Sequence, residues 1–171
     1  KDNIDITSRC SLVAQLKIDQ SVAHNGVCLT VVRKTTTTYT VTAIQETLIK
    51  SNLGDVVKGS EVNLERSMTL DKLLDGHMVQ GHVDQTAFCT KVEEAEGSWY
   101  FTFEYDSSTG NITVEKGSIS VDGVSLTVVN SKDNSFQVAI IPYTFEHTVF
   151  HNYKVGSRVN LEFDIIGKYI T

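Results

Sequence analysis

Residues 21–32 read SVAHNGVCLTVV, and residues 118–129 read SISVDGVSLTVV. The similarity runs without a gap from 21–65 to 118–162 at a constant offset of 97 residues, and about 16 of the 45 paired positions are identical. A repeat of this length at fixed spacing indicates a duplicated supersecondary unit. The sequence therefore predicts two similar structural units in tandem.

The boundary between the two units is placed after residue 75, which gives units at 1–75 and 76–171. The copies carry different polar residues at matching places, and this predicts two related ligand sites with unequal roles. His24 aligns with Val121, Cys28 with Ser125, and Glu46 with Tyr143.

Composition excludes several classes of protein. The net charge is −6 and the sequence pI is about 5.3, without the basic stripe of a nucleic-acid surface. No apolar run is long enough to cross a membrane, and the start shows no signal-peptide pattern. The three cysteines (Cys10, Cys28 and Cys89) form neither a disulfide framework nor a CxxC pair, which favours a reducing, cytoplasmic location.

Short apolar and β-branched runs, separated by glycine or polar turns, predict an all-β chain. The clearest strand is SWYFTFEY at 98–105, and residues 77–90 predict a further strand interrupted by Gly81. Pro142 is placed at the end of a strand, where a missing N–H donor is tolerated. Two small closed six-stranded antiparallel β-barrels are favoured over open sheets, because closure leaves no edge strand.

The offset also predicts that the first barrel lacks its opening strand. The counterpart of residues 77–90 would lie before residue 1. We therefore expect the natural protein to have on the order of 20 further residues before Lys1, because a duplicated unit is expected to be complete.

His77, His82 and Asp84 invite a metal hypothesis. A spacing of five on a strand puts the two histidines on opposite faces unless Gly81 forms a bulge, and zinc sites usually have closer ligand pairs. Structural histidines, or one histidine lining a ligand cleft, are favoured, and no metal is predicted.

Cys28 with His24 could form a nucleophilic pair, but the second copy has Ser125 and Val121 there. Both copies keep a small polar atom two residues before a threonine, Thr30 or Thr127, and residues i and i+2 of a strand share a face. A polar face toward a ligand and a structural role both remain open. Glu46 and Glu146 could be acid–base groups or solvated carboxylates.

The motifs SVAHNGVCLTV, TAIQETL with SNLGD, NLERS, GHMVQGHVD, KGSISVDGVSLTV and IPYTFEHT resemble those of riboflavin synthase of the α-chain type, over essentially the whole chain. The resemblance implies two six-stranded barrels with a C-terminal helix, which looks cut short here, in a homotrimer. It implies dismutation of two molecules of 6,7-dimethyl-8-ribityllumazine to riboflavin and 5-amino-6-(D-ribitylamino)uracil, without a metal or organic cofactor. Lumazine synthase is a candidate partner.

The resemblance also implies site residues. The family's opening Phe-Thr-Gly motif is absent, so the first site is expected to be incomplete. The first site would use Cys28, Leu29, Thr30, Thr42, Ala43, Ile44, Gln45, Glu46 and Thr47, with Gly81, His82 and Val83 at the junction. The second site would use Lys116, Ser125, Leu126, Thr127, Ile141, Pro142, Tyr143, Thr144, Phe145 and Glu146, with Asp164 close by.

Within these sets, His82 is the candidate for proton transfer, since histidine exchanges protons near neutral pH. Ser125 and Cys28 are candidates for addition to the neighbouring ring or for its polarisation, and Thr127 completes the catalytic set. His77 would contact these residues without contacting the ligand itself. The alternative function is that of a non-catalytic, lumazine-binding fluorescent protein of the same fold.

Overall fold

Each unit is built on a hairpin whose turn holds an Asn-Gly or Asp-Gly pair. The computed structural model describes residues 3–68 and 74–169. Asn25 and Gly26 have φ of 47° and 80°, and Asp122 and Gly123 have φ of 46° and 82°. Two successive positive φ values give the turn that matches the twist of a tight β-hairpin, and Asn-Gly and Asp-Gly are the pairs that adopt it most readily.

Eleven strands are found in the described ranges. They are β1 (Ile4–Arg9), β2 (Ser21–His24), β3 (Val27–Lys34), β4 (Thr38–Ala43), β5 (Leu64–Arg66), β6 (Gln85–Ala95), β7 (Ser98–Tyr105), β8 (Ser118–Val121), β9 (Val124–Val129), β10 (Ser135–Ile140) and β11 (Arg158–Phe163). The helices are α1 (Gln45–Lys50), α2 (Pro142–His147) and α3 (Ile165–Lys168), and short 3₁₀ turns lie at Val13–Gln15, Asn52–Asp55, Ser107–Thr109 and Val149–Asn152.

The second unit is a closed antiparallel barrel in the order β10-β7-β6-β11-β8-β9. The first unit is a five-stranded sheet in the order β1-β4-β3-β2-β5, which is the order of the strands that correspond to them in the barrel. A counterpart of β6 is missing among the described residues, and a groove of about 1010 Å³ lies between β1 and β5. The duplication is confirmed, with a closed second barrel and a first unit of five strands.

The two cores are built from the inward-facing residues of these strands. In the first unit the core residues include Val22, Leu29, Val31, Tyr39 and Val41. In the second unit aromatic rings fill the same space, including Phe101, Phe103, Phe136 and Phe150.

The side chain of Asn160 on β11, in the second unit, makes hydrogen bonds to the first unit. Its side-chain oxygen accepts a hydrogen bond of 2.6 Å from the backbone N–H of Asn52, and its amide nitrogen donates to the carbonyl of Asn25 at 2.8 Å. Asn160 is 1% exposed. Buried amides of this kind stabilise an interface only when they are paired.

Asn63 makes the reciprocal contacts from the first unit to the second. Its side-chain oxygen accepts from the backbone N–H of Val149 at 2.9 Å, and its amide nitrogen donates to the carbonyl of Asp122 at 2.9 Å. These contacts correspond to those of Asn160 at the offset of 97. The interface between the units is therefore pseudo-symmetric.

The two hairpin turns meet at the centre of this interface. A Cβ added at Gly26 would lie 2.8 Å from the backbone nitrogen of Gly123, and a Cβ at Gly123 would lie 2.8 Å from that of Gly26. Only glycine allows the two backbones to approach this closely. The identical glycines in the repeat therefore serve both the turn and the contact.

Two local predictions are wrong. Residues 77–84 are not a strand, because Gly81 has φ of 78° and its N–H donates to a side chain of β11 rather than to a neighbouring strand. Pro142 does not end a strand but begins α2, where its missing N–H would have no helical partner in any case. The short α3 is held by an ion pair of 2.8 Å between Lys168 and Asp84, and residues 170–171 lie outside the described ranges.

Candidate functional site

Strands β3 and β9 each carry a small polar side chain followed two residues later by a threonine. Cys28 and Thr30 are exposed on β3, while Val27, Leu29 and Val31 between and beside them are buried. We call Cys28 and Thr30 the first ledge. On β9 the matching residues Ser125 and Thr127 form the second ledge, with Ser125 half-buried and Thr127 exposed. Each pair lies on one face of its strand and points away from the barrel core.

The segment that joins the two units, residues 74–84, touches both ledges through a glycine. A Cβ at Gly81 would collide with the thiol of Cys28, and a Cβ at Gly76 would collide with the hydroxyl of Ser125. Both glycines have positive φ, 78° and 90°. The backbone of this segment therefore lies directly against the two residues that occupy equivalent positions in the repeat.

Ser125 is hydrogen-bonded to His77. The hydroxyl lies 2.6 Å from Nδ1 of the imidazole and 3.3 Å from the backbone nitrogen of the same residue. Because the backbone N–H can only donate, the hydroxyl accepts from it and is free to donate its own proton to Nδ1. Burial lowers the pKa of His77, opposed by the negative charges of Asp164 and Glu162. A neutral imidazole that accepts from a hydroxyl is the arrangement that activates serine oxygens.

Cys28 has a different environment. Its backbone N–H donates to the carbonyl of Gly81 at 3.0 Å, and its thiol lies 3.8 Å from the carbonyl of Gln80. Burial raises the pKa of the Cys28 thiol, and the carboxylates of Glu162 and Glu65 raise it further. The thiol form is therefore favoured at neutral pH, which argues against a thiolate nucleophile.

The Cys28–His24 pair considered from the sequence is wrong. His24 is 1% exposed and lies in the first core, where Nδ1–H donates to the carbonyl of Val22 at 2.9 Å and Nε2 accepts from the Tyr39 hydroxyl at 2.6 Å. Burial lowers the pKa of His24 to about 4. A neutral, fully paired imidazole in the core has a structural role.

The helical turns α1 and α2 follow the strands β4 and β10. The isoleucines that precede them, Ile44 and Ile141, are 51% and 58% exposed. Tyr143 is 68% exposed and stacks on His147 with ring centroids 4.1 Å apart. The two exposed isoleucines lie in equivalent places, and exposed apolar and aromatic groups of this kind would suit a flat heterocyclic ligand.

Other predicted site residues face elsewhere. Leu29 and Ala43 belong to the first core, Val83 packs against it, and Leu126 and Phe145 pack against the second core. Three further residues of the predicted set make local contacts. The Thr42 hydroxyl donates to Asp5 at 2.7 Å, exposed Glu46 pairs with Lys50 at 2.6 Å, and the backbone N–H of Lys116 donates to Val128.

The rest of the predicted set lies at the surface. His82 is exposed at the end of the joining segment, and Gln45, Pro142 and Glu146 are exposed on the helical turns. Thr47 and Thr144 are half-buried, and their carbonyls accept hydrogen bonds from the hydroxyls of Ser51 and Thr148.

Comparison with known proteins decides the family. The family model described as "Lumazine binding domain" matches residues 2–67 and again 80–164. The riboflavin synthase of Bacillus subtilis (strain 168) is 42% identical over 166 residues, which covers 96% of this chain and 77% of that protein. The riboflavin synthase of Mycobacterium tuberculosis (strain ATCC 25618 / H37Rv) is 45% identical over 154 residues, covering 88% and 77%.

The chain belongs to the riboflavin synthase family. Solved structures agree on the fold. A crystal structure of LumP complexed with 6,7-dimethyl-8-(1'-D-ribityl) lumazine superposes with a TM-score of 0.82 at 20% identity, covering 94% of this chain and 86% of that one. LumP complexed with riboflavin gives a TM-score of 0.83 at 21% identity, covering 94% and 87%.

Residues 3–68 and 74–169 contain no group of three or more histidine, cysteine or acidic side chains that could hold a metal ion. Asp84, from the metal hypothesis, instead accepts from the backbone N–H of Phe163 and pairs with Lys168. None of the helices in these ranges is long and apolar enough to span a membrane.

Sequence reasoning missed Glu162 altogether and gave His77 only a supporting place. Glu162 appears in the repeated motif GSRVNLE as an ordinary charged residue, but it is 5% exposed and binds the segment over Cys28. A signal was available, because the alternation of apolar residues along this strand places Glu162 on the face opposite the core. There it must contact either solvent or another part of the chain. The partner itself could not be read from the sequence.

Proposed function

We propose that this riboflavin synthase family member catalyses the dismutation of two molecules of 6,7-dimethyl-8-ribityllumazine. One molecule gives up a four-carbon unit and leaves as 5-amino-6-(D-ribitylamino)uracil, and the other becomes riboflavin. The duplicated ledge carries the proposal, with Cys28 and Thr30 in one unit and Ser125 and Thr127 in the other. A reaction between two copies of one molecule needs two similar pockets, and their different roles need unlike residues.

The chemistry asked of the protein is modest. A 7-methyl group of one lumazine must lose a proton, and the resulting carbanion is delocalised over the ring. Backbone N–H groups and hydroxyls directed at the ring carbonyls and nitrogens would stabilise that charge. The larger contribution would come from holding the two rings face to face in reactive register. No metal or organic cofactor takes part in the proposed reaction.

In this proposal Ser125 has the leading catalytic role at the second ledge. Its hydroxyl lies 2.6 Å from Nδ1 of His77 and can donate its proton there, which would favour attack on, or polarisation of, a bound ring by the oxygen. His82, exposed at the other end of the joining segment, transfers the proton. Cys28 and Thr127 contact the rings as polar neighbours.

The remaining predicted site residues, around α1, α2 and Lys116, would form the walls of the two lumazine pockets. The units at 1–75 and 76–171 would each bind one lumazine. Family resemblance further supports a cytoplasmic homotrimer whose working site joins the first unit of one subunit to the second unit of its neighbour, with lumazine synthase as a partner. Native mass measurement tests the trimer.

The direct experiment mixes the purified protein with 6,7-dimethyl-8-ribityllumazine and follows riboflavin fluorescence. We expect one riboflavin for every two lumazines consumed. Ser125→Ala and His82→Ala should each lower turnover by about a hundredfold or more, the usual range for loss of an acid–base group, with a smaller effect on lumazine binding. Cys28→Ser should keep part of the activity, because the second unit already has serine there.

Ser11→Ala serves as the matched control, because Ser11 is exposed in a turn that contains no predicted site residue. It should leave turnover unchanged. Wild-type turnover in both Ser125→Ala and His82→Ala would refute the assigned roles. Lumazine binding without any riboflavin would favour the fluorescent-protein alternative.

A further inference from the structure

Glu162 lies on the outer face of β11, toward the first unit. On this strand Val159, Leu161 and Phe163 point into the second core. Alternation of side chains therefore turns Asn160 and Glu162 outward. Both are nevertheless buried, at 1% and 5% exposure, because the first unit and the joining segment cover this face.

The Glu162 carboxylate accepts hydrogen bonds from three consecutive backbone N–H groups. Oε1 accepts from Gln80 at 2.5 Å, and Oε2 accepts from Gly81 and His82 at 3.0 Å each. Successive N–H groups converge on one anion only when the backbone forms a concave nest, which the positive φ of Gly81 permits. In the described parts of the chain no lysine or arginine forms an ion pair with Glu162.

The carbonyl groups of the same segment face the first ledge. Gly81 accepts from the backbone N–H of Cys28, and the carbonyl of Gln80 lies against its thiol. The segment Gln80–His82 is thus bound on one side by a carboxylate of the second barrel and on the other by strand β3 of the first unit. A buried carboxylate is costly unless it is fully hydrogen-bonded, and here the joining segment supplies those bonds.

We propose that Glu162 is a positioning residue for the first lumazine pocket, holding Gly81 over Cys28 and fixing the direction in which His82 leaves the segment. The identity of this pocket as a lumazine site rests on the proposed function, but the geometry around Glu162 can be tested without any catalysis. Glu162 belongs to the second barrel, so it makes the first pocket dependent on the second unit of the same chain.

The test measures the alkylation rate of Cys28 by iodoacetamide, resolved by peptide mass spectrometry, in the wild type and in Glu162→Asp. Aspartate keeps the charge, so it leaves the electrostatic effect on the thiol in place while its shorter side chain cannot reach all three N–H groups. We expect Cys28 to react about tenfold faster, the factor that follows from losing one hydrogen bond to a charged group. Glu162→Gln should also be faster, because an amide offers only one acceptor oxygen.

Two controls keep the result interpretable. Cys89 is 1% exposed in the second core, so its protection in the same digest reports that the barrel remains folded. Glu94→Gln removes the same charge at the exposed β6–β7 hairpin and should leave the Cys28 rate unchanged. A wild-type rate for Cys28 in both Glu162 variants, with Cys89 protected, would overturn the proposal. Loss of Cys89 protection in both would overturn it too, since Glu162 would then be a residue of the barrel fold.

The functional readout separates this inference from the proposed reaction. If Glu162 positions the first pocket, Glu162→Asp should raise the KM for lumazine. If the wild type makes no riboflavin, the proposed function fails while the alkylation result still decides the role of Glu162. If the wild type is active and the Cys28 rate does not change, the positioning role fails alone.

Discussion

The two units bind each other through the equivalent asparagines Asn63 and Asn160, and beside these contacts a pair of equivalent residues differs in chemical kind. In the first unit the side-chain oxygen of Asn25 accepts from the backbone N–H of Asn63 at 2.8 Å. In the second unit the carboxylate of Asp122 accepts from the backbone N–H of Asn160 at 2.7 Å and also bonds the Tyr153 hydroxyl. An amide oxygen in one unit and a carboxylate oxygen in the other therefore accept the equivalent hydrogen bond, each from a backbone N–H of its own unit.

The ledges have diverged further than the interface. Cys28 is held by backbone carbonyls of the joining segment, whereas Ser125 is held by the imidazole of His77. The first arrangement surrounds a thiol with backbone carbonyls, and the second places a hydroxyl within hydrogen-bonding distance of an imidazole. The two units therefore keep the same strand order and the same interface asparagines, while the two candidate pockets differ in chemistry.

Asp122→Asn gives the second unit an amide side chain where the first unit has Asn25. It tests how much stability the protein loses when the buried Asp122 carboxyl ionises. Burial raises the pKa of Asp122 to about 7 from an ordinary value of 3.8. Between those values the folded state holds a proton that the unfolded chain has released, so this group's contribution to stability is lost as pH rises from about 4 to about 7. The stability of Asp122→Asn relative to wild type should therefore increase between pH 4 and pH 8, by up to about 4 kcal/mol.

Urea unfolding of both proteins across this pH range provides the measurement. The change at His24, whose pKa is lowered to about 4, acts in the opposite direction but is common to both proteins and cancels in the difference. A difference in stability that stays constant with pH would show that Asp122 ionises in the interface without penalty.

Gly123→Ala breaks the symmetric contact at the hairpin turns. The new Cβ would lie 2.8 Å from the backbone nitrogen of Gly26, and neither backbone can move without separating the units. Gly156→Ala is the matched control, because Gly156 has φ of 95° but nothing within 4 Å of its added Cβ. We expect Gly123→Ala to lose about 2 kcal/mol more stability than Gly156→Ala, the usual cost of overpacking. Equal losses in thermal or urea unfolding would mean that the turns do not pack against each other.

Much of the fold was predictable because the same sequence pattern forms the same strands and helices in both units. Strands β2 and β8, β4 and β10, and helices α1 and α2 lie 97 residues apart, and the Asn-Gly and Asp-Gly turns are local signals. Residues 77–84 were wrongly predicted as part of one strand with residues 85–90. Their conformation depends on Gly81 and on the Glu162 carboxylate, 81 residues further along the chain.

The site was predictable only in part, because it too depends on contacts between residues that are distant in the sequence. That Cys28 and Thr30 share one face of their strand, as Ser125 and Thr127 do, followed from strand alternation. The partners that give them unlike chemistry, His77 and the segment at Gly81, come from a connection whose path is set by tertiary contacts. The interface residues Asn63 and Asn160 were visible as identities in the repeat, but nothing in one sequence shows that they cross between units.

We propose that one chain offers two unequal pockets for one molecule. It is tested most directly by equilibrium titration with a 7-oxo analogue of the lumazine, which has no 7-methyl group to deprotonate and so binds without reacting. We expect two analogue molecules to bind per chain with affinities about tenfold apart, a difference of about 1.4 kcal/mol. One molecule per chain, or two with identical affinity, would contradict it.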